Sequence, residues 1–508
     1  MIPDARTPLV VTTAADAAAI RAAFDRAGFT ERTLCQHLRL PALDSVDMPL
    51  FKSFRPRLEG AGLRETLAAL FLFGELVDAS ALGEMGRPEL DAFMTADLVR
   101  EWPPAQGRRL YSPVRLVPLD GGPFRRRDLL LAGDRGDHPD GSPFAPFADI
   151  VFSGHNPLTR QFLRLLPDRR CGDLLDLCSG TGVGALMQAD LAQRSTGVDV
   201  AERSVHFARF NAWLNDCPAL ELFTGDLYQP LAGRRFDRII AHPPYVPALT
   251  QRLTYRDGGQ TGEEIVRGIV AGVPDHLAEG GTFHLLFLGM DTDDGAIEER
   301  ARGWLGPAGG EFDIIYALDS RTPPELIATR LVDRAGGSPQ DLARWRDLFQ
   351  GIRVQDFVYG ALVGRRVPDA GRTQTFTRRV LLGEATTGAS FDRLFAWFDR
   401  LRAPDLEARV LASAPTLSPD IHLEVRHAVQ DGTFVPEAYA LSNAGEPFYA
   451  VVKTDPWVAA LLSELDGTTT LLEHHRRAAS RQRLPQGFTE SDLARLTCFL
   501  AERGYVVI

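Results

Sequence analysis

Between about residues 150 and 365 the chain alternates short apolar runs with segments of helical period, and this alternation restricts the fold more than any other feature. Candidate strands fall at 174–177, 196–200, 221–224, 238–241, 283–288, 312–317 and 357–363, and the intervening helices open near Gly182, Glu202, Gly262 and Gly295. A strand apolar on both faces must be covered on both faces, and parallel neighbours need a crossover long enough to hold a helix. Seven such strands imply an α/β fold, a seven-stranded Rossmann-like doubly wound sheet with ligands at the carboxyl ends of its strands.

Two regions flank that sheet. Residues 1–148 read as mainly helical, with apolar positions at helical spacing in Ala17, Ala18, Ile20 and Phe24 and again in Leu67, Leu70, Phe71, Phe73 and Leu76. Short strands near 109–117 and 129–131 add a small wing, and the region is expected to serve substrate. A loop rich in Gly, Asp and Pro at 133–146 closes it. The sheet occupies 149–368, a connector follows at 368–375, and 369–508 forms the third region. Its end shows helices around Trp457–Leu462, Leu471 and Glu490–Leu500 and a last strand at 505–508, a winged-helix-like pattern. A length of 508 residues suits about three domains.

With 44% hydrophobic and 24% charged residues the chain is expected to fold throughout. Its net charge of −11 disfavours nucleic acid and anionic membranes as partners of the whole molecule. Arg125-Arg126-Arg127 is the best local basic run, and a solvated loop is the plainer reading of it. The five cysteines are scattered without a CxxC pair, so neither a disulfide framework nor a metal site is expected, and a reducing cytoplasm is the simplest home. No basic segment leads into an apolar run, and no stretch of about eighteen apolar residues occurs.

The segment Asp173-Leu174-Leu175-Asp176-Leu177-Cys178-Ser179-Gly180-Thr181-Gly182-Val183-Gly184 passes from an apolar strand through a small-residue turn into a helix. Its glycines let backbone approach a ligand, and the helix start offers free N–H groups. Taken alone, this is equally a tight turn, a dinucleotide site or a site for a methyl donor. The next strand ends in Asp199, placed to accept both hydroxyls of a ribose, and the third in Gly225-Asp226-Leu227, where a carboxylate meets an exocyclic amine and Leu227 packs near the ring. The fourth ends in His242-Pro243-Pro244-Tyr245, which dehydrogenases do not show.

Here the chain resembles the class I methyltransferases that use S-adenosylmethionine, especially the branch of release-factor glutamine N-methyltransferases and the related small-domain RNA and DNA N-methyltransferases. That branch carries Asp-x-Gly-x-Gly-x-Gly and Asn/Asp-Pro-Pro-Tyr. Asp176, Gly180 and Gly182 match the first motif, and Cys178 stands in place of its first glycine. The whole chain also resembles a largely actinobacterial group of three-domain methyltransferases. The resemblance implies S-adenosyl-L-methionine held by Asp176, Cys178, Ser179, Gly180, Gly182, Asp199, Val200, Asp226, Leu227 and His242. Asn211 matches a common asparagine of these folds, for which a structural helix-end role is expected. Glu263 and Glu264 are expected to complement a helix dipole.

In the Asn-Pro-Pro-Tyr enzymes the Asn side chain and the first proline's carbonyl hold a planar nitrogen in line with the methyl group, and the aromatic ring stacks on it. Catalysis there is mostly alignment. His242 and Tyr245 are therefore the expected catalytic residues, with Pro243, Pro244, Tyr255 and Arg256 completing the acceptor site. A neutral imidazole offers one acceptor where Asn or Asp is usual, so activity is expected to fall as pH drops through an ordinary histidine pKa of about 6.5. His242 packing beside adenine is the plain alternative. The leading function is methylation of a nitrogen, less readily an oxygen, of a protein, peptide or small-molecule acceptor. RNA or DNA N-methylation and a cofactor-binding regulatory module without turnover are the alternatives.

Overall fold

The computed structural model describes all residues except 1–6, 47, 59, 61, 104–107, 126, 143, 155, 251, 369–373, 444 and 449. It divides into two compact units, one made of residues 1–289, 303–306 and 329–338, the other of 290–302, 307–328 and 339–508.

The first unit holds five parallel strands: β1 (Cys171–Leu177), β2 (Ala192–Asp199), β3 (Leu220–Thr224), β4 (Phe236–Ala241) and β5 (Leu277–Thr292). Their order is β3-β2-β1-β4-β5. The chain begins in the middle, winds outward through β2 and β3, then returns to the far side of β1. This reversal puts the switch point between β1 and β4, where ligands of such sheets bind. The crossovers include α1 (Val183–Gln188), α2 (Glu202–Leu214) and α3 (Glu264–His276), close to the openings read from sequence.

The N-terminal part begins with helices Ala14–Ala27 and Glu31–Leu38, each entered through a threonine whose hydroxyl accepts a backbone N–H. Strands Val114–Leu119 and Leu129–Asp134 form the expected antiparallel ribbon, with Leu116 opposite Ala132. One segment differs from expectation. The helix Leu63–Leu67 runs into Ala68–Phe73, which is wound as a π-helix with all six residues buried. Six apolar residues in succession leave no polar face, so the segment is enclosed on every side instead of lying amphipathically on a surface.

A single hydrophobic cluster contains Ile20, Phe24, Phe71 and Phe93 from the N-terminal helices together with Phe207, Phe210 and Leu214 of α2. The core therefore runs across residue 148 without a break.

In the second unit, Phe312–Thr322 and Val354–Arg366 pair antiparallel, and Thr377–Leu381 pairs parallel with the first of them. Every strand read from sequence is present, and Thr377–Leu381 is an addition to that set. The expected connector falls largely on 369–373, outside the described residues. Helices Pro456–Leu462, Leu471–Ser480 and Glu490–Glu502 and the strand Val506–Val507 lie where the sequence placed them, and that strand pairs with Thr416–Leu417. A long ribbon, Ile421–Gln430 with Thr433–Asn443, was not foreseen. Among the described residues no helix is long and apolar enough to cross a membrane.

Candidate active site

Register brings the motifs together. Leu177, the last residue of β1, pairs with Val198 of β2 on one side and Ala241 of β4 on the other, and Asp199 pairs with Thr224 of β3. The loops opening with Cys178, Val200, Gly225 and His242 thus leave one row of strand ends.

In the glycine loop Cys178, Gly180 and Gly182 have φ of 55°, 52° and 78°. A β-carbon on Gly180 would meet nothing within 4 Å, whereas one on Gly182 would sit 3.1 Å from Cβ of Ala208 and one on Gly184 2.8 Å from Oδ2 of Asp176. Gly180 therefore leaves open space above the loop, and the other two serve close packing. Cys178 adopts the left-handed conformation despite its side chain.

Asp176 is buried and its Oδ2 accepts a hydrogen bond from the Ala185 N–H at 2.8 Å. Burial pushes its pKa up to about 7, with the Ala185 N–H opposing and Asp199 adding. Asp199 accepts from the Gly180 N–H at 2.8 Å and the Ala201 N–H at 2.9 Å. Burial raises its pKa as well, against those two amides and the Ser204 hydroxyl. Burial also raises the Cys178 thiol, and the fields of Asp199, Asp176 and Asp226 add to it. Three expected cofactor acids thus converge on one protonated, unreactive thiol. Asp226 and Val200 are exposed beside them. Ser179 Oγ is buried with no hydrogen-bond partner among the described residues. Acids, an orphaned hydroxyl and an open glycine fit a cationic ligand that also carries hydroxyl and amine groups.

Leu227, with φ of 47°, turns its side chain toward α3, where a β-carbon on Gly268 would lie 2.8 Å from its Cδ1. The neighbouring Tyr228 ring fills the space over Gly272 and its hydroxyl donates to the Ile269 carbonyl at 2.9 Å. The sequence reading missed this mooring, and Gly-x-x-x-Gly at 268–272 was its signal.

At the reaction motif the His242 ring stacks on Phe162 at 5.3 Å and 22° and lies tilted on Tyr245 at 5.9 Å and 32°. Phe162 comes from helix Pro157–Arg164, and nothing in the motif pointed to it. His242 Nε2 is buried without a hydrogen-bond partner among the described residues. Burial lowers the pKa of His242 to about 4. The expected titration near 6.5 is therefore corrected downward, because no carboxylate repays the desolvation of an imidazolium here.

The following loop is built onto the motif. Val246 N–H donates to the Arg256 carbonyl and Gly258 N–H to the Val246 carbonyl. A β-carbon on Gly258 would lie 2.7 Å from the Pro244 carbonyl oxygen. Asp257 is buried, accepts from the Arg252 and Leu253 N–H groups and binds Arg256 Nε at 2.8 Å. Tyr255, partly exposed, stacks on Phe152 at 5.0 Å and 14°. Glu264 accepts from the Thr261 N–H and hydroxyl and so stiffens the approach to α3.

Other residues singled out by sequence lie elsewhere. Arg125 donates to the Leu186 carbonyl at 2.7 Å, Arg126 lies outside the described residues, and Arg127 is exposed. Arg125 is thus committed to α1 and not to a basic surface. His206 Nε2 lies 3.0 Å from both the Pro8 and Leu9 carbonyls, and His475 Nε2 3.2 Å from that of Phe488. Among the described residues no group of His, Cys, Asp and Glu could hold a metal.

Residues 151–289 match the methyltransferase small domain family. The ribosomal protein uL3 glutamine methyltransferase of Bradyrhizobium diazoefficiens is 30% identical over 28% of this chain and 49% of its own. That of Xanthomonas campestris is 30% identical over 37% and 61%, and a putative protein N5-glutamine methyltransferase of Methanocaldococcus jannaschii 32% identical over 24% and 66%. The chain thus spans about half to two thirds of the length of these relatives. A putative RNA methyltransferase structure from Pyrococcus horikoshii aligns at 14% identity over 45% of this chain and 90% of that one, with a TM-score of 0.27.

Proposed function

We propose that this chain, with a methyltransferase small domain at residues 151–289, is an S-adenosylmethionine-dependent methyltransferase acting on a protein side-chain nitrogen, the amide of glutamine foremost. The relatives carry glutamine methyltransferase names, and the strand-end row supplies a site of the right chemistry. The observation that carries the reading is His242 Nε2, a buried nitrogen at the end of β4 without a hydrogen-bond partner among the described residues, in a ring that contacts Phe162 and Tyr245.

Asp176 and Asp199 would bind the amine and ribose of the cofactor, and Asp226 its adenine. The bound cofactor supplies a methyl group on a positively charged sulfur. A neutral His242 accepts one N–H of the acceptor amide and the Pro243 carbonyl another, while Tyr245 covers the planar group. This leaves the nitrogen's π face directed along the transfer line, so that alignment lowers the barrier. The part played by His242, Pro243 and Tyr245 would be to bind and orient the acceptor amide so that its nitrogen could receive the methyl group that a bound cofactor would supply. The helices of 456–502 with strand Val506–Val507 support a winged-helix-like role in acceptor choice for the C-terminal region.

Incubation with methyl-labelled cofactor and a lysate of the source organism, followed by mass localisation, tests the reading. Label on a protein glutamine is the expected result, and label confined to RNA or DNA would replace it with the nucleic-acid alternative.

A further inference from the structure

We infer that Asn211 is a positioning residue for the cofactor loop, through which the N-terminal ribbon holds Thr181 in place; this rests on the reading of that loop as a cofactor site. Along α2, Arg203, Asn211 and Asn215 stand at multiples of four residues and face alternate residues of strand Leu129–Asp134. From Asn211 to Asn215 four residues rise about 6 Å and the two strand residues between Ala132 and Leu130 span about 6.7 Å, so these two stay in step, whereas Arg203, eight residues before Asn211, reaches Asp134 only through its long side chain.

Asn215 Oδ1 accepts from the Leu130 N–H at 2.9 Å and its Nδ2 donates to the Leu130 carbonyl at 2.8 Å. Asn211 repeats this with Ala132, at 2.8 Å from the N–H and 3.0 Å to the carbonyl. Arg203 Nε donates to Asp134 at 2.8 Å. The two amides behave as one more strand laid along the ribbon's outer edge.

They differ in their second N–H. Asn215 returns it to the Asn211 carbonyl, inside its own helix, at 2.8 Å. Asn211 sends it to the carbonyl of Thr181 at 3.0 Å. Thr181 lies between Gly180 and Gly182, both at positive φ, where the backbone has little stiffness of its own. Asn211 is fully buried and both its amide hydrogens are used, so the bond to Thr181 has no solvent substitute. Cofactor that orders the loop must then also favour the docked ribbon, and by linkage the docked ribbon must favour cofactor.

The test compares S-adenosylmethionine affinity by calorimetry in the full chain, Asn211→Ala and Asn215→Ala. Both variants should lower the denaturant midpoint, since both break ribbon contacts. Asn211→Ala should weaken cofactor binding by about tenfold, the scale of one buried hydrogen bond, and Asn215→Ala by less than about twofold. Equal affinities in the two variants, weakened or not, would reduce Asn211 to a docking contact. Should Asn211→Ala not fold, hydrogen exchange on the unmodified chain decides. Saturating cofactor should slow exchange at the Ala132 N–H more than at the Leu130 N–H, and identical responses overturn the inference. A chain that binds no cofactor at all refutes the parent reading, whereas binding with those equal responses refutes only the role of Asn211.

Discussion

A half-buried imidazole that contacts two aromatic rings and whose buried Nε2 has no hydrogen-bond partner among the described residues stays neutral over a wide pH range. With the His242 pKa near 4, its acceptor form persists through neutral and mildly acidic conditions. Turnover should stay level in His242 protonation from pH 8 to about 5, and kcat measured with saturating cofactor checks this; a titration centred near 6.5 would show that the ring is solvated during turnover. His242→Ala should lower kcat by about a hundredfold by releasing the acceptor nitrogen, while His242→Asn, the residue usual in the resembling enzymes, should retain most of it. Asp176 moves the opposite way. Its folded pKa, near 7, exceeds the ordinary carboxylate value, so the ligand-free fold binds a proton that the unfolded chain does not. Its contribution to stability is therefore greatest below pH 4 and is lost as pH rises to 7, by up to about 4 kcal/mol. A cationic ligand needs the ionised form, so cofactor affinity should rise about tenfold per unit up to pH 7 and then level off. Proton release seen by calorimetry in buffers of different ionisation heat checks the same linkage. Cys178 completes the residue scale: at φ 55° it bears a left-handed conformation that glycine adopts freely, so Cys178→Gly should stabilise the chain by about 1 kcal/mol in urea melts.

Among the elements, the turn after β1 and the loop after β4 are shaped by backbone approach more than by side chains. Gly258 lies so close to the Pro244 carbonyl that a methyl group there must displace the reaction motif. Gly258→Ala should cut kcat more than tenfold yet leave cofactor affinity within about twofold, because the glycine loop is untouched. An unchanged kcat would mean that the motif tolerates the shift. Elements of this kind were partly legible. Strands β1 and β4 read clearly because each carries an apolar run, Leu174-Leu175 and Ile239-Ile240-Ala241, that is buried in the sheet. Thr377–Leu381 did not: its sequence, Thr-Arg-Arg-Val-Leu, puts two arginines in the strand, and these are balanced by Glu502, Asp291 and Glu298, residues far away in the chain. Phe162 was hidden for the same reason, and Asn211, read from sequence as a helix-end residue, showed nothing of its bonds to Ala132 and Thr181, since these partners are brought near only by the fold.

For the whole molecule, the helical N-terminal region and the strands that follow were separable in sequence because their hydrophobic periods differ, and period says nothing of where a core ends. Phe207, Phe210 and Leu214 share one cluster with Ile20, Phe24, Phe71 and Phe93, and the Asn211 and Asn215 amides are satisfied by Leu130 and Ala132. Cutting at 148 would bare the buried face of α2 and take from each of two asparagine side chains the ribbon N–H and carbonyl that it binds. Each buried aromatic so exposed forfeits about 1.5–3 kcal/mol, and the three apolar residues alone approach the whole stability of an ordinary domain. A fragment of residues 149–508 should therefore be insoluble or lack a cooperative melt, whereas one keeping residues 7–148 should retain it. Far-UV circular dichroism with temperature and cofactor calorimetry on both forms decide. A soluble 149–508 fragment that melts cooperatively and binds cofactor as tightly as the full chain would mean that α2 can close over its own core, and that the N-terminal region is a separable attachment instead of part of one core with the strands that follow.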